Sequence, residues 1–282
     1  MPYYIKLIDT TIDKLQHFSK KDDKDFSSWL TLLYKQPSKE LVSYAQEMLE
    51  NISTTDIIKQ PRTISAFKVK HMLEEELKKR GFNEWKVFIK NIPARMSVSS
   101  MKRELKIKEN SKFSKLEVDR LIVHEIGTHI QRFENGKKQP YQIFRYGFSG
   151  YLETEEGLAI YSEEKSSLLS SYDRRKYCMR VLAANYACNH DFYDLFIYLH
   201  KKLDFDDAFS MATRIKRGLI DSSQLGGYTK DQVYLSGYRR LKAEPKKRIL
   251  KLFIGKMGLD DLQIIEKLNN LNQQVTYGVC WL

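Results

Sequence analysis

The sequence predicts an α+β protein that is mainly helical and carries a small sheet. Most of the chain places apolar residues at the three- and four-residue spacing of amphipathic helices, whereas residues 85–89 and 96–107 have the character of strands. Composition supplies the third observation, because 42% hydrophobic and 12% aromatic residues, with 6 prolines and 13 glycines, provide material for a large core. The chain is therefore neither disordered nor fibrous.

The N-terminal part is predicted to be helical. Apolar side chains at helical spacing predict helices over residues 22–36 and 41–49, and a polar linker over residues 51–63 follows. Ser65 is predicted to cap a helix that ends at Gly81, a residue suited to a left-handed C-cap. We expect two parts, an N-terminal helical segment over residues 1–60 and a main domain over residues 61–282.

The sheet is predicted in the middle of the chain, where alternating residues 85–89 are followed by an extended run over 96–107. Helical spacing resumes at Ser114, and Ser114 to Glu117 have the form of a capping box. Gly136 is expected just past the end of that helix. Thr229 and Pro245 are expected to begin two later helices. Further helices are predicted over residues 155–170, 174–188, 192–202, 206–216 and 260–271.

Charge restricts the possible partners without selecting one. The 282 residues include 48 Lys and Arg against 36 Asp and Glu, a formal net charge of +12. This excess suits nucleic acid, an anionic membrane surface or an acidic protein. Nucleic acid is disfavoured because finger, RNP and basic-zipper patterns are absent from the sequence. No apolar run has the roughly 18 residues of a membrane span, and three scattered cysteines fit reduced thiols, so a cytoplasmic location is expected.

The helix predicted from Ser114 contains His124-Glu-Ile-Gly-Thr-His129, which has the pattern H-E-x-x-x-H. A catalytic Zn²⁺ site needs neutral imidazoles, an open position for water and a carboxylate that accepts a proton from that water. Glu125 offers the carboxylate. An undistorted α-helix would turn histidines five residues apart by about 140° from each other. A π-bulge at Gly127 would absorb the extra residue, and π-bulges occur preferentially at functional sites.

An alternative stays open for this motif. Glu125 and His129 are four residues apart and could form an ordinary pair on a helix surface, with His124 packed as a core histidine. Under that interpretation the segment binds no metal.

A third ligand is expected from the segment Glu153-Thr-Glu155-Glu156-Gly157, at the start of the next predicted helix. If the two helices pack antiparallel, one of these carboxylates can complete a His, His, Glu set and leave the fourth zinc position to water. The alternative is that the acids only interact with the helix dipole. Gly157 indicates a close approach by another element, because glycine costs a helix about 1 kcal/mol relative to alanine.

The pairing of HEIGTH with EEGLA resembles the zinc metallopeptidases related to the microtubule-associated tyrosine carboxypeptidases. It also resembles their bacterial relatives with a QEGLA motif, described as flavohaemoglobin expression-modulating proteins. Glu155 stands where the bacterial pattern has Gln, as in the eukaryotic members. The resemblance covers roughly residues 60 to 260 and extends to further segments, which are residues 94–101, 113–115, 135–140, 214–218 and 226–237.

This resemblance implies a gluzincin-like metallopeptidase, with residues 61–282 as the catalytic domain and a zinc-binding helix pair. His124, His129 and Glu156 would bind Zn²⁺, and Glu125 would act as general base and acid. The implied function is a zinc-dependent carboxypeptidase that removes C-terminal tyrosine or other aromatic residues. Its partner would be a peptide or protein C-terminus, and the positive net charge favours an acidic tail.

A carboxypeptidase must also hold a terminal carboxylate, usually with Arg or Lys. Arg214, Arg217 and Lys230 are candidates for this role, and Tyr228 and Tyr234 are candidate oxyanion donors. The extended run over residues 96–101 is a candidate strand for pairing with a substrate peptide, although an ordinary sheet strand explains it equally well. The alternative function is a non-catalytic or regulatory metal-binding module whose basic surface docks an acidic partner.

Overall fold

The computed structural model describes residues 12, 34–53, 55, 57, 59–219 and 221–267. This part of the chain is mainly helical and contains two small sheets, which confirms the predicted α+β, mainly α class. Most of the helix predicted over residues 22–36 lies outside the described residues. Among the described helices, none is both long enough and apolar enough to cross a membrane.

The described elements are as follows in chain order. The α-helices are α1 (Lys39–Glu50), α2 (Ala66–Lys79), α3 (Lys115–Leu121), α4 (Gln131–Lys137), α5 (Ile143–Tyr146), α6 (Tyr151–Lys165), α7 (Ser171–Ala187), α8 (Phe192–His200), α9 (Phe205–Lys216), α10 (Gln232–Lys242), α11 (Lys246–Lys251) and α12 (Leu262–Ile265). The strands are β1 (Ile64–Ser65), β2 (Lys86–Lys90), β3 (Met96–Ser99), β4 (Glu104–Lys108) and β5 (Lys112–Phe113). A π-helical segment, Ile122–Ile130, joins α3 to α4.

Backbone packing divides the chain into two compact units. The first unit comprises Met1–Ile57 and Ser171–Ser236, and the second unit comprises Ile58–Ser170 and Gly237–Leu282. The predicted organisation into a helical segment over 1–60 and a catalytic domain over 61–282 stays a prediction.

The second unit is built around a three-stranded sheet in the order β2-β4-β3. The central strand β4 pairs parallel with β2 and antiparallel with β3, so the predicted run over residues 96–107 forms two strands. Leu105 and Ile107 alternate with lysines along β4 and are completely buried. They belong to one core with Leu73 of α2 and Phe133 of α4. The sheet and α2 thus support the helix that carries the H-E-x-x-x-H motif.

The predicted helix starts in this unit are confirmed. The Ser65 side chain accepts a hydrogen bond from the Lys68 backbone N–H and caps α2. Gly81 follows the end of α2 in the left-handed region, with φ 76°. Ser114 and Glu117 form a reciprocal capping box at the start of α3. These features fix where the supporting helix and the motif helix begin.

Two sequence predictions were wrong, one in each unit. Gly136 lies inside α4 and does not follow its end. A Cβ on Gly136 would overlap the Phe144 backbone, so the glycine permits close packing. Thr229 does not cap a helix, because its hydroxyl is buried without a hydrogen-bond partner and a short 3-10 turn precedes α10. For Gly136, a tertiary contact thus determines the role of the residue.

Within the first unit, α1 packs on α7, and α8 packs on α9. The last residue of α9, Lys216, is buried, and its ammonium group donates to three backbone carbonyls. The acceptors are His190, Gln224 and Gly226, at 2.6, 2.8 and 2.8 Å. This hydrogen bonding holds the segment after α9 against the end of α7. Cys178 and Cys188, both on or next to α7, are free thiols.

Candidate metal centre

The distorted segment of the motif helix brings the two histidines together. In the π-helical stretch Ile122–Ile130, backbone hydrogen bonds span five residues, so side chains five apart lie on one side. The Thr128 hydroxyl donates to the Val123 carbonyl across the same interval, at 3.1 Å. The ring centroids of His124 and His129 are 4.9 Å apart. The distortion predicted from the spacing is therefore confirmed.

Helix α6 supplies the third donor. It begins at Tyr151 and not at Glu155 as predicted, so Glu155 and Glu156 lie in its second turn and are buried. The helix dipole acts mainly on the first turn and does not explain them. The Glu156 Oε2 atom lies 3.8 Å from His124 Nε2 and 3.6 Å from His129 Nε2. Both imidazoles thus face one carboxylate.

Two glycines let α6 lie close to α10. A Cβ on Gly157 would overlap the backbone of Gly237, and a Cβ on Gly237 would overlap the Glu153 carbonyl group. The close approach predicted from Gly157 is confirmed. Gly157 follows Glu156 directly. The close packing of α6 on α10 therefore helps to set the position of the Glu156 carboxylate relative to the histidines.

Each imidazole has a second carboxylate behind it. His124 Nδ1 lies 2.6 Å from Glu163 Oε1, and His129 Nδ1 lies 2.9 Å from Glu155 Oε1. Because an ionised carboxylate only accepts hydrogen bonds, each Nδ1 carries a hydrogen in the metal-binding tautomer. The lone pair then remains on Nε2, the atom that faces Glu156. This carboxylate–histidine arrangement is common where histidines bind metals.

Basic side chains hold these two carboxylates in place. The Arg120 Nη1 group donates to Glu163 Oε1 at 3.1 Å. The completely buried Arg132 donates to Glu155 Oε2, and Lys256 Nζ lies 3.4 Å from Glu155 Oε1. A buried carboxylate is tolerated only when it is paired in this way. Both acids behind the histidines are therefore paired with cations.

The electrostatics of the cluster favour positive charge between the histidines and Glu156. Burial lowers the pKa of both imidazoles, but hydrogen bonds to carboxylates outweigh it. Glu156 and Glu163 raise the pKa of His124 to about 9, and Glu155 and Glu156 raise the pKa of His129 to about 10. Burial opposes ionisation of Glu155 and Glu156, yet neighbouring cations and imidazoles hold the pKa of both carboxyls below its usual range. A divalent cation would be stabilised by the same carboxylates.

The donor atoms fit a zinc ion. One ligand atom from each of His124, His129 and Glu156 lies within 4.8 Å of the other two. Zinc bonds of about 2.0 to 2.1 Å in tetrahedral geometry place neighbouring donors about 3.4 Å apart. The observed nitrogen–oxygen separations of 3.8 and 3.6 Å are close to that value. Two imidazoles and one carboxylate are also the ligand set of catalytic zinc sites, in which water takes the fourth position.

Glu125 lies on the π-helical segment directly after His124 and is half-buried. Its negative charge contributes to the raised pKa of His124, which indicates that the carboxylate is close to the cluster. The alternative in which Glu125 pairs with His129 on a helix surface does not describe this site. The His129 ring is nearly buried and its Nδ1 bonds to Glu155.

Several residues of the centre escaped the sequence reasoning. Glu163 had a usable signal, because it follows Glu156 by seven residues and so lies on the same face of a helix. Arg120 and Arg132 lie one turn before His124 and nearly one turn after His129, a spacing that also predicts proximity. Lys256 had no such signal, since it comes from a distant part of the chain.

All five candidate substrate-binding residues lie in the first unit. Three of them share one set of contacts. Arg214 donates to the buried Asp231 through Nε and through Nη2, the latter at 3.0 Å, and Arg217 Nη2 lies 3.5 Å from the same carboxylate. The Arg217 guanidinium stacks over the Tyr228 ring, 4.2 Å from its centroid. The structure thus brings Arg214, Arg217 and Tyr228 together around Asp231.

The other two candidates have different surroundings. Tyr234 stacks on Tyr177, with centroids 5.7 Å apart, and the Arg180 guanidinium lies 5.0 Å from its ring. Arg180 Nε lies 3.9 Å from Asp231, so it joins the same cluster. Lys230 is half-buried in the 3-10 turn before α10. Arg180 and Asp231 were missed in the sequence because an arginine–aspartate cluster has no local pattern.

Comparison with known proteins gives concordant matches. A family model described as microtubule-associated tyrosine carboxypeptidase matches residues 2–277. Microtubule-associated tyrosine carboxypeptidase 1 of Homo sapiens is 36% identical over 131 residues, 43% of this chain and 26% of the human protein. The Mus musculus protein of that name is 32% identical over 158 residues, 51% of this chain and 32% of the relative. The putative tyrosine carboxypeptidase MATCAP2 of Mus musculus is 29% identical over 157 residues, 52% of this chain and 30% of the relative. The matched regions span less than a third of each relative.

Proposed function

Because the chain belongs to the microtubule-associated tyrosine carboxypeptidase family, we propose that it is a zinc-dependent carboxypeptidase that removes C-terminal tyrosine or other aromatic residues. One observation carries this proposal. His124 Nε2, His129 Nε2 and Glu156 Oε2 converge, and a carboxylate behind each ring orients it. The gluzincin-like arrangement and the identity of the metal belong to the proposal.

In the proposed mechanism, metal binding and proton transfer are carried out by different residues of the chain. Bound Zn²⁺ would supply water with a pKa lowered to about 7 and would polarise the scissile carbonyl. His124, His129 and Glu156 would hold the ion. Glu125 accepts a proton from the attacking water and later donates it to the departing amine, as general base and then general acid. A carboxylate at the position after a ligand is well suited to both transfers.

The edge strand β3 is suited to hold the substrate backbone. It pairs with β4 on one side and packs beside the π-helical segment. A peptide that added to its other side would run past the metal centre and be bound through main-chain hydrogen bonds, independently of sequence. This role for residues 96–101 is part of the proposal.

The arginine cluster of the first unit supports recognition of a carboxylate. Arg180, Arg214 and Arg217 surround one buried acid, Asp231. Arginine binds carboxylates with two parallel hydrogen bonds. We propose that this cluster binds the substrate terminus or an acidic tail, with Tyr228, Lys230 and Tyr234 as further substrate contacts. The chain's net charge of +12 also favours an acidic substrate.

The test uses zinc-loaded protein and an acidic peptide that ends in tyrosine, with the same peptide amidated at its C-terminus as control. Mass spectrometry should detect release of tyrosine from the free acid only. The variant Glu125→Gln should keep its zinc, and its turnover should fall by at least about 100-fold, because general acid–base catalysis contributes about 10² to 10⁴. Unchanged turnover would remove Glu125 from the mechanism.

Other results would favour different functions. Internal cleavage of the amidated peptide would indicate an endopeptidase. A metal held by four protein ligands, with binding but no hydrolysis of the acidic peptide, would favour the non-catalytic module. Protein that binds no Zn²⁺ would refute the proposed function as a whole.

A further inference from the structure

We propose that Glu163 is a positioning residue of the metal centre, which holds the His124 ring so that Nε2 faces the metal. The inference rests on the proposed function, since it assumes that the centre binds zinc. It assigns Glu163 no contact with the metal or the substrate, and its effect is exerted through His124.

The contacts of Glu163 support this role directly. Its side chain is completely buried, and Oε1 lies 2.6 Å from His124 Nδ1. The same oxygen accepts a hydrogen bond from Arg120 Nη1 at 3.1 Å. A hydrogen bond from Nδ1–H to this oxygen fixes both the tautomer and the rotation of the ring. Without it, the His124 ring could present either nitrogen to Glu156.

Helix geometry explains how α6 supplies both the candidate ligand Glu156 and the positioning residue Glu163. Glu163 follows Glu156 by seven residues, nearly two turns, so both side chains leave α6 on the same face. Glu156 meets the Nε2 atoms, and Glu163 meets the Nδ1 atom of His124. Any change in the position of α6 therefore moves the ligand and the positioning group together.

The second carboxylate oxygen of Glu163, Oε2, argues against a purely structural role for this side chain. Glu163 Oε2 is buried and has no hydrogen-bond partner among the described atoms. A buried carboxylate with an unsatisfied oxygen destabilises a fold, so the contacts of its other oxygen must offset that cost. The contacts of the first oxygen with His124 and Arg120 therefore account for a carboxylate at this position.

The unpartnered oxygen also permits a sharp experiment. The variant Glu163→Gln can keep its carbonyl oxygen on His124 and place its amide NH₂ where no group is displaced. Glu163→Met removes the acceptor at similar volume. The matched control is Glu164→Met on the same helix, because Glu164 bonds to the Tyr238 hydroxyl at 2.6 Å and to Lys242 at 3.0 Å.

The measurement is the Kd for Zn²⁺ of metal-free protein, determined by competition with a chromogenic chelator. Glu163→Met should bind Zn²⁺ about 10- to 100-fold more weakly than wild type, the usual effect of losing an outer-shell partner. Glu163→Gln should remain within about threefold, which would be rescue by the conservative variant. The absorption spectrum of the Co²⁺-loaded Glu163→Met protein should also change, since it reports ligand geometry.

A second variant guards against misfolding. The double variant Arg120→Met, Glu163→Met removes both members of the ion pair, so no charge is taken from only one side of it, and this variant should also bind Zn²⁺ weakly. If both Met variants at position 163 bound Zn²⁺ as tightly as Glu164→Met, the inference would be overturned while the proposed function stood. Wild-type protein without zinc affinity would overturn the proposed function and this inference with it.

Discussion

Replacing Gly157 by alanine tests whether the crossing of α6 and α10 sets the geometry of the metal centre. A Cβ on Gly157 would lie 2.5 Å from the Tyr238 backbone nitrogen and 2.6 Å from Gly237 Cα. Ordinary contacts between such atoms are about 3.5 to 4.0 Å. The two helices would therefore have to separate by about 1 Å at this point.

The expected sign of the stability change makes this variant informative. In a helix without such a contact, a glycine-to-alanine change stabilises by about 1 kcal/mol. Here overpacking costs about 1 to 3 kcal/mol and outweighs that gain. We therefore expect Gly157→Ala to lower the free energy of unfolding by up to about 2 kcal/mol.

The same displacement should weaken the metal centre, because Glu156 precedes Gly157. A shift of about 1 Å at a catalytic group can reduce the rate about 100-fold. The assay is urea unfolding followed by tryptophan fluorescence, with Trp85 buried in the core of the second unit, together with zinc titration and turnover. Gly237→Ala changes the other side of the crossing and should give the same losses.

The refuting result is specific. If Gly157→Ala were more stable than wild type and bound Zn²⁺ equally well, α6 and α10 would not pack as closely as described. The Glu156 carboxylate would then owe its position to other contacts.

Three further predictions concern charge and metal. Lys216→Met should lower the free energy of unfolding by about 2 to 4 kcal/mol in urea titrations, because three part-buried hydrogen bonds lose their charged donor. The exposed Lys201→Met should change it by less than about 0.5 kcal/mol. Burial raises the pKa of Asp231, but Arg180 and the other two arginines hold this pKa below its usual value. The ionised Asp231 therefore stabilises the fold above about pH 4, and this contribution is lost as the pH falls further. Asp231→Asn should be less stable at pH 7 and show a weaker loss between pH 4 and 2 in thermal unfolding; equal acid sensitivity would contradict this. Removing zinc with a chelator should lower the melting temperature and adding zinc should restore it, and a melting temperature indifferent to zinc would argue against a bound metal.

Local features of the fold could be predicted because their causes are local. The caps at Ser65 and Ser114 depend on side chains that bond to backbone groups three residues away. Gly81 ends α2 because its own backbone adopts positive φ. Gly136 misled the sequence reasoning because its role depends on Phe144, which approaches it in the folded chain.

The sequence by itself predicted two histidines and a nearby acidic segment as candidate metal ligands, and it predicted that the helix between the histidines must be distorted. The pattern from His124 to His129 contains the donors, and five-residue spacing is incompatible with a regular α-helix that directs both rings to one ion. Gly157 also predicted a close contact with another element, although the sequence did not identify that element.

Only the tertiary structure decided which groups orient those donors. Glu163 and His124 are 39 residues apart, and Arg132 is anchored to the Leu252 carbonyl across 120 residues. Periodicity reports which face of a helix a side chain occupies, but it carries no information about which other segment packs there. A buried charge needs a partner from the segment that packs against it, and the packing of the core determines which segment that is.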